Sequence, residues 1–310
     1  MLHFLNLIRW KNLLMIAFAQ CAFRFGFFEL PNFTEIHFFT ALTTAQFFML
    51  VIATISLAAA GYIINDVYDL ETDTINNPSK QIVGKHINES LATNLFVIFN
   101  ILGVALGFYI ANIVGKNMFA TVFVLISVLL YVYATYLKGT ILLGNIAISL
   151  LVAATILIVG VFELTPIISP ENIDFVKYLF RFILEFAVFA FLINLVREMV
   201  KDMEDIDGDH KAGLTTLPIA IGRDRAARVT FIICLLPICT AVYYTITYLA
   251  ENNILLFYFL FLIIGPLCFV AFKILGAKTK KEFHSLSTVL KVILFLGIIS
   301  IFLLKWTTNA

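Results

Sequence analysis

Half of the 20 acidic residues fall in two short stretches. The first holds Asp66, Asp69, Glu71 and Asp73; the second holds Glu198, Asp202, Glu204, Asp205, Asp207 and Asp209. Asp66, Asp69 and Asp73 are spaced i, i+3, i+7, and Asp202, Asp205 and Asp209 repeat that spacing 136 residues later. On a helix these offsets place three carboxylates within about 60° of arc, on one face. Carboxylates this close repel and stay ionised only where cations neutralise them. Oxygen donors without Cys or paired His select a hard ion, Mg²⁺ or Ca²⁺. Mg²⁺ keeps few protein ligands and takes the rest from water and substrate phosphates. Two such motifs facing each other would form a metal-bridged diphosphate clamp. A calcium loop over Asp205-Ile206-Asp207-Gly208-Asp209 fails, because the Gly comes two positions early and position 12 is Thr216 rather than Glu.

The rest of the chain must hold these acids at a membrane. The 310 residues are 61% hydrophobic and 13% charged, with a mean hydropathy of +0.99. Soluble chains carry about 25% charge. That excludes a cytosolic globular enzyme, a disordered chain, a nucleic-acid binder and a disulfide scaffold. A net charge of +1 implies no bulk attraction to an anionic partner. The cysteines Cys21, Cys234, Cys239 and Cys268 lie in apolar runs and are read as packing residues.

A bilayer needs about 20 apolar residues per helix. That rule predicts nine spans, near 12–30, 41–64, 91–112, 118–137, 141–162, 176–197, 228–249, 254–275 and 286–304. The first is the weakest, with Gln20 inside it and Arg24 near its end; a signal peptide cleaved after Ala17-Phe18-Ala19 is its rival. With the N-terminus in the cytoplasm, all but Arg24, Lys116, Lys177, Arg181 and Lys305 of the 21 Lys and Arg fall on the cytoplasmic side. This is the positive-inside asymmetry, and both acidic motifs share that side. One motif follows the second span and the other the sixth, which suggests a weak four-helix internal repeat. The expectation is an all-α polytopic membrane protein: nine transmembrane helices around a central cavity, one domain over 1–310.

These motifs resemble those of the UbiA-type intramembrane prenyltransferase family. Asn65 through Asp73 match its NDxxDxxxD motif at every fixed position, and Asp205 and Asp209 match its DxxxD motif, preceded by Asp202. The resemblance covers nearly the whole chain. It implies that Asp66, Asp69, Asp73, Asp202, Asp205 and Asp209 hold Mg²⁺ and act on the diphosphate of a prenyl donor. Departure of diphosphate leaves an allylic carbocation in an apolar cavity, which a lipophilic acceptor attacks. A metal stabilises charge on the leaving oxygens.

Carried over singly, Asn65, Lys80, Lys138 and Lys201 are implied to meet the diphosphate. The family's first Arg after the motif is Asn77 here, and Lys80 stands at its second Arg position. Arg9-Trp10-Lys11-Asn12 resembles the family's Arg-Pro-x-Asn with Trp in place of Pro, so Arg9 and Asn12 are implied to bind the acceptor. Around the second motif, Arg197, Lys211 and Thr215-Thr216-Leu217-Pro218 look most like the branch that adds a second geranylgeranyl chain to geranylgeranylglycerol phosphate. Arg197 and Lys211 are then suited to an acceptor phosphate. An aromatic quinone precursor is the alternative acceptor. A cation-coupled transporter is the alternative class; it wants acids at the bilayer midplane, where Glu185 is the clearest example, whereas most acids here lie at span ends.

Overall fold

A computed structural model describes residues 2–30, 40–76 and 81–309. Among the described residues, eight helices are long and apolar enough to cross a membrane, and no named strand occurs. They correspond to the second through ninth expected spans. The first expected span is a helix, α2 (Trp10–Cys21), that continues as the π-helical stretch Ala22–Phe27. It follows a short helix, α1 (Leu2–Leu7). Then come α3 (Thr44–Tyr68), α4 (Leu70–Asn76), α5 (Glu89–Ile113), α6 (Ala120–Thr135), α7 (Leu143–Glu163) and α8 (Ile173–Lys211). The chain ends with α9 (Leu217–Ile221), α10 (Arg223–Tyr244), α11 (Asn253–Tyr258), α12 (Gly265–Gly276) and α13 (Lys280–Asn309). The Asn77 and Lys80 positions lie outside the described residues.

The helix starts are set by side chains that take up free backbone N–H groups. Thr43 accepts from Gln46 N at 3.4 Å while Gln46 accepts from Thr43 N at 2.9 Å, closing a capping box on α3. Asn88 Oδ1 accepts from Leu91 N at 2.7 Å to start α5. Asn252 Oδ1 accepts from Leu255 N at 3.1 Å to start α11.

The chain divides into two compact units: 1–20, 39–138 and 155–183 in the first, and 21–38, 139–154 and 184–310 in the second. In the first unit, α3 packs along α5, and α6 against both. Helices in lipid gain little from hydrophobicity and associate through close approach. Gly103 and Gly107, one turn apart on α5, supply it. A Cβ on Gly103 would lie 2.7 Å from the Leu57 side chain and 3.0 Å from the Ala53 carbonyl oxygen, both on α3; one on Gly107 would lie 2.3 Å from the Phe123 ring of α6. Gln20 is fully buried here, donating to Thr54 Oγ1 at 3.1 Å and to the Thr155 carbonyl at 2.9 Å.

The second unit is built on α8, α10, α12 and α13, with a core from Ile193 and Val196 through Cys234, Ile263, Phe283 and Leu290. The three π-helical stretches Ala22–Phe27, Thr245–Leu249 and Phe259–Ile264 all belong to it. Phe23, Phe186, Tyr244 and Phe259 form its edge-on and tilted aromatic contacts, with centroids 5.6 to 6.1 Å apart.

The glycine contacts yield a first prediction. Gly103→Val places a methyl against a backbone oxygen that cannot turn away, so the first unit loses about 1–3 kcal/mol of packing. Gly103→Ala should cost less. The melting temperature of the purified protein in detergent should fall in the order wild type, Ala, Val; equal values for all three would remove close helix approach as the basis of this packing.

Candidate active site

The first acidic motif straddles the junction of α3 and α4. The triplet spacing predicts one unbroken helix, but the backbone leaves helical geometry at Asp69 (φ −91°, ψ 9°). The ladder survives the kink: Asp69 N donates to Asn65 O at 2.9 Å, and Asp73 N donates to Asp69 O at 2.8 Å. The kink has local causes. Thr72 Oγ1 donates to the Asp69 carbonyl at 2.9 Å. Asp69 Oδ2 accepts from Asn65 Nδ2 at 2.6 Å and is ion-paired with Lys138 Nζ.

Asp66 is paired with Arg9, whose Nη2 lies 2.9 Å from Oδ1. Arg9 sits in the link between α1 and α2 with φ 51°, the one non-glycine residue at positive φ among the described residues. That conformation costs of order 1–3 kcal/mol and persists only where surroundings hold it. Here Asp66 holds one side of the guanidinium, and the Tyr62 ring, 4.9 Å away, holds its face. Burial works against the Arg9 charge, but Asp66, Tyr62 and Asp69 together reverse this, and its pKa is raised. Asn12, next along, donates its backbone N–H to the Arg9 carbonyl at 2.7 Å.

Asp73 is half-buried. Burial, then the Asp69 and Asp66 charges, push its carboxyl up to about 6. Asn65 Oδ1 is buried with no partner beside these acids.

The second motif lies wholly within α8, which runs unbroken through Lys211. Asp202, Asp205 and Asp209 therefore do share a helical face, and the calcium-loop geometry is absent from this stretch. Asp202 Oδ2 accepts from Asn145 Nδ2 of α7 at 2.8 Å. Behind it, Ser149 Oγ donates to the Asn145 carbonyl at 2.6 Å, and Asn194 Nδ2 donates to Ser149 Oγ at 3.2 Å. Glu198 is buried and takes Arg197 Nη1 at 2.6 Å and Lys201 Nζ at 3.2 Å. Asp205 lies 3.7 Å from Lys280 Nζ, and Glu204 lies 2.9 Å from His284 Nδ1, both partners on α13. Asp209 is buried, while Lys211 is exposed.

The sequence-predicted residues thus gather in two places. Arg9, Asn65, Asp66, Asp69 and Lys138 meet in the first unit, with Arg9 against the acid motif rather than apart from it. Arg197, Lys201, Asp202 and Asp205 meet within the second. Among the described residues, Lys211 makes no side-chain contact that ties it to either group. Tyr62, Asn145 and Glu198 complete the sites and escape sequence reasoning. Glu198 lies in the acidic stretch but outside the triplet, and a lone Asn at the head of an apolar run carries no spacing signal.

Among the described residues, no three Asp, Glu, His or Cys side chains converge as a ready metal cage. The donor set still fits Mg²⁺, which takes only one or two carboxylates from protein. Asp66, Asp69 and the unpartnered Asn65 Oδ1 offer hard oxygens in the first unit, and Asp202, Asp205 and Asp209 do so in the second.

Residues 37–296 match the model of the UbiA prenyltransferase family. The chain is 30% identical to a digeranylgeranylglyceryl phosphate synthase of Methanosphaera stadtmanae over 78% of its own length and 81% of that protein's. It is 35% identical to the corresponding protein of Pyrococcus abyssi, of which it spans 59% of the length. Its fold is similar to that of a UbiA homolog from Archaeoglobus fulgidus bound to GPP and Mg²⁺, with a TM-score of 0.60, 16% identity, and 97% and 99% of the two chains covered.

The raised Asp73 carboxyl yields a second prediction. Its folded-state pKa lies above the unfolded value, so the folded chain holds the extra proton between the two. Stability contributed by this group is therefore lost as pH rises from about 4 through about 6. In EDTA, the wild-type melting temperature should carry this falling component, and Asp73→Asn should not. Parallel pH profiles for the two proteins would disprove the assignment.

Proposed function

The chain belongs to the UbiA prenyltransferase family, and we propose that it transfers a prenyl group from a prenyl diphosphate to a prenylated glycerol phosphate at the cytoplasmic face of the membrane. The observation that carries this is the matched pair of acidic triplets at helix ends, each already met by cations. In this reading Asp66, Asp69 and Asp73, and Asp202, Asp205 and Asp209, hold Mg²⁺. The ion, when bound, stabilises negative charge on the diphosphate as it leaves.

The chain's own residues do the remaining work. Lys138 and Arg9 each sit on one carboxylate oxygen of the first motif and carry donors to spare, so they can pass charge-assisted hydrogen bonds to departing phosphate oxygens. Asn65 and Asn145 fix the rotamers of Asp69 and Asp202, and Lys80 adds a further point charge for the diphosphate. Breaking the carbon–oxygen bond at the prenyl C1 leaves an allylic cation. Apolar side chains of the membrane helices exclude the water that would quench it. The acceptor hydroxyl oxygen attacks C1, and its proton passes to the departed diphosphate.

The acceptor is read from charge. Arg197 and Lys201 both contact the single carboxylate of Glu198, so the two cations outnumber the acid that holds them. Lys211 adds another nearby in sequence, and Asn12 is the remaining acceptor candidate. A glycerol phosphate, with up to two negative charges, meets those cations more fully than the single carboxylate of a hydroxybenzoate or naphthoate. The relatives' names point the same way.

Three measurements test the reading. Diphosphate release from membranes given geranylgeranyl diphosphate and geranylgeranylglycerol phosphate should require Mg²⁺. Asp69→Ala and Asp205→Ala should each cut it by about 100-fold or more, with insertion unchanged; full activity in EDTA would defeat the proposal. Lys201→Met should raise the acceptor KM about tenfold while the donor KM moves little, because uniform binding loss appears in KM. The reverse pattern would move Lys201 to the donor. For orientation, His86→Cys and Met118→Cys flank α5 in a background lacking native cysteines. His86→Cys should react only from the cytoplasm and Met118→Cys only from outside.

A further inference from the structure

The second unit carries a cluster of cations that prenyl transfer does not use. Between the start of α10 and the link joining α12 to α13 is an open cavity of about 680 Å³, lined by Ile221, Gly222, Arg223, Asp224, Arg225 and Lys278. Three of its six lining residues are cationic and one is acidic. We infer that this cavity binds the phosphate headgroup of an anionic membrane lipid.

Three observations converge on a phosphate. Arg223 is fixed rather than free: Nη1 donates to the Lys278 carbonyl at 3.2 Å, and the guanidinium lies 5.8 Å over the buried Phe283 ring. A guanidinium pinned in this way keeps further N–H donors and is preorganised for phosphate oxygens. Arg225 and Lys278 bring two further charges from separate elements to the same cavity. The backbone adds donors, since α10 begins at Gly222 (φ 85°) with no side-chain cap. A glycine there leaves the first-turn N–H groups uncovered, and a Cβ would have met nothing within 4 Å. Positive-inside bias accounts for cations at this level, but not for one held against a carbonyl and a ring beside a cavity.

Depth decides in favour of a lipid over a soluble anion. Long apolar helices begin at Arg223, end at Gly276 and begin again at Lys280, so the cavity lies at the ends of three candidate spans. Lipid phosphates flank the ends of membrane spans, and a cation near that surface contributes about 1 kcal/mol.

The inference stands apart from the prenyl-transfer reading and has its own readout. The full-length protein is reconstituted in phosphatidylcholine nanodiscs with and without phosphatidylglycerol. Lipid retained after detergent extraction is counted by native mass spectrometry. Wild type should retain phosphatidylglycerol over phosphatidylcholine. Arg225→Gln combined with Lys278→Gln should lower that retention about 30-fold, each cation contributing about fivefold. Among the described residues neither side chain has a partner whose loss would unfold the chain, and melting in pure phosphatidylcholine checks this. Lys116→Gln, elsewhere on the surface, should retain lipid as wild type does. Unchanged retention in the double variant would overturn the inference. So would displacement of the lipid by millimolar inorganic phosphate, which would assign the cavity to a soluble anion.

Discussion

Carboxylates beside hydrocarbon must be neutralised, and the rest of this structure is arranged around that requirement. Removing an ionised carboxylate from water without a partner costs several kcal/mol. The chain places six motif aspartates at the ends of membrane helices and meets most of them with a cation or an amide. Arg9 serves Asp66, Lys138 serves Asp69, Asn145 serves Asp202 and Lys280 serves Asp205. Each partner comes from a different element. The acids therefore fix where the α1–α2 link, the end of α6, the start of α7 and the start of α13 must lie.

The two units meet the requirement with different backbones. α8 is rigid and continuous, so its triplet keeps the one-face geometry that the spacing dictates. The first triplet instead crosses a kink at Asp69, where one oxygen takes both Asn65 and Lys138. A turn gives Asp69 freedom that a mid-helix residue lacks. Arg9 is the counterpart on the cation side, held at positive φ by an ion pair and an aromatic face. The backbone strain at Arg9 lies within this cluster, which is where a chain that binds a charged group concentrates it.

Most of the fold was legible because lipid is a demanding solvent. Every span must be long and apolar, so hydropathy alone marked the eight long helices, with ends off by a few residues. At the sixth span, expected near 176–197, the helix is longer than the span. Its helix runs on to Lys211, because hydropathy registers the end of hydrocarbon and not the end of hydrogen bonding. Arg197, Glu198 and Lys201 neutralise one another on that extension and let it continue. The first expected span was legible as a helix but not its change of pitch at Ala22. Repeated spacing exposed the six aspartates. Glu198, Asn145 and Tyr62 were not legible, since each acts as a single side chain from another turn or helix, and only packing brings it to the motif.

Glu198 shows what charge counting misses. By sequence, Arg197 and Lys201 are two spare cations beside an acidic motif. In the structure both face one buried carboxylate, Arg197 at 2.6 Å and Lys201 at 3.2 Å. That carboxylate sets their positions and removes one unit of their charge. An anion arriving there would meet two cations already held in place by Glu198 rather than two mobile ones. The entropy of ordering the two long side chains has already been lost in folding. The same carboxylate limits how tightly an anion is held, because its own charge opposes the ligand's.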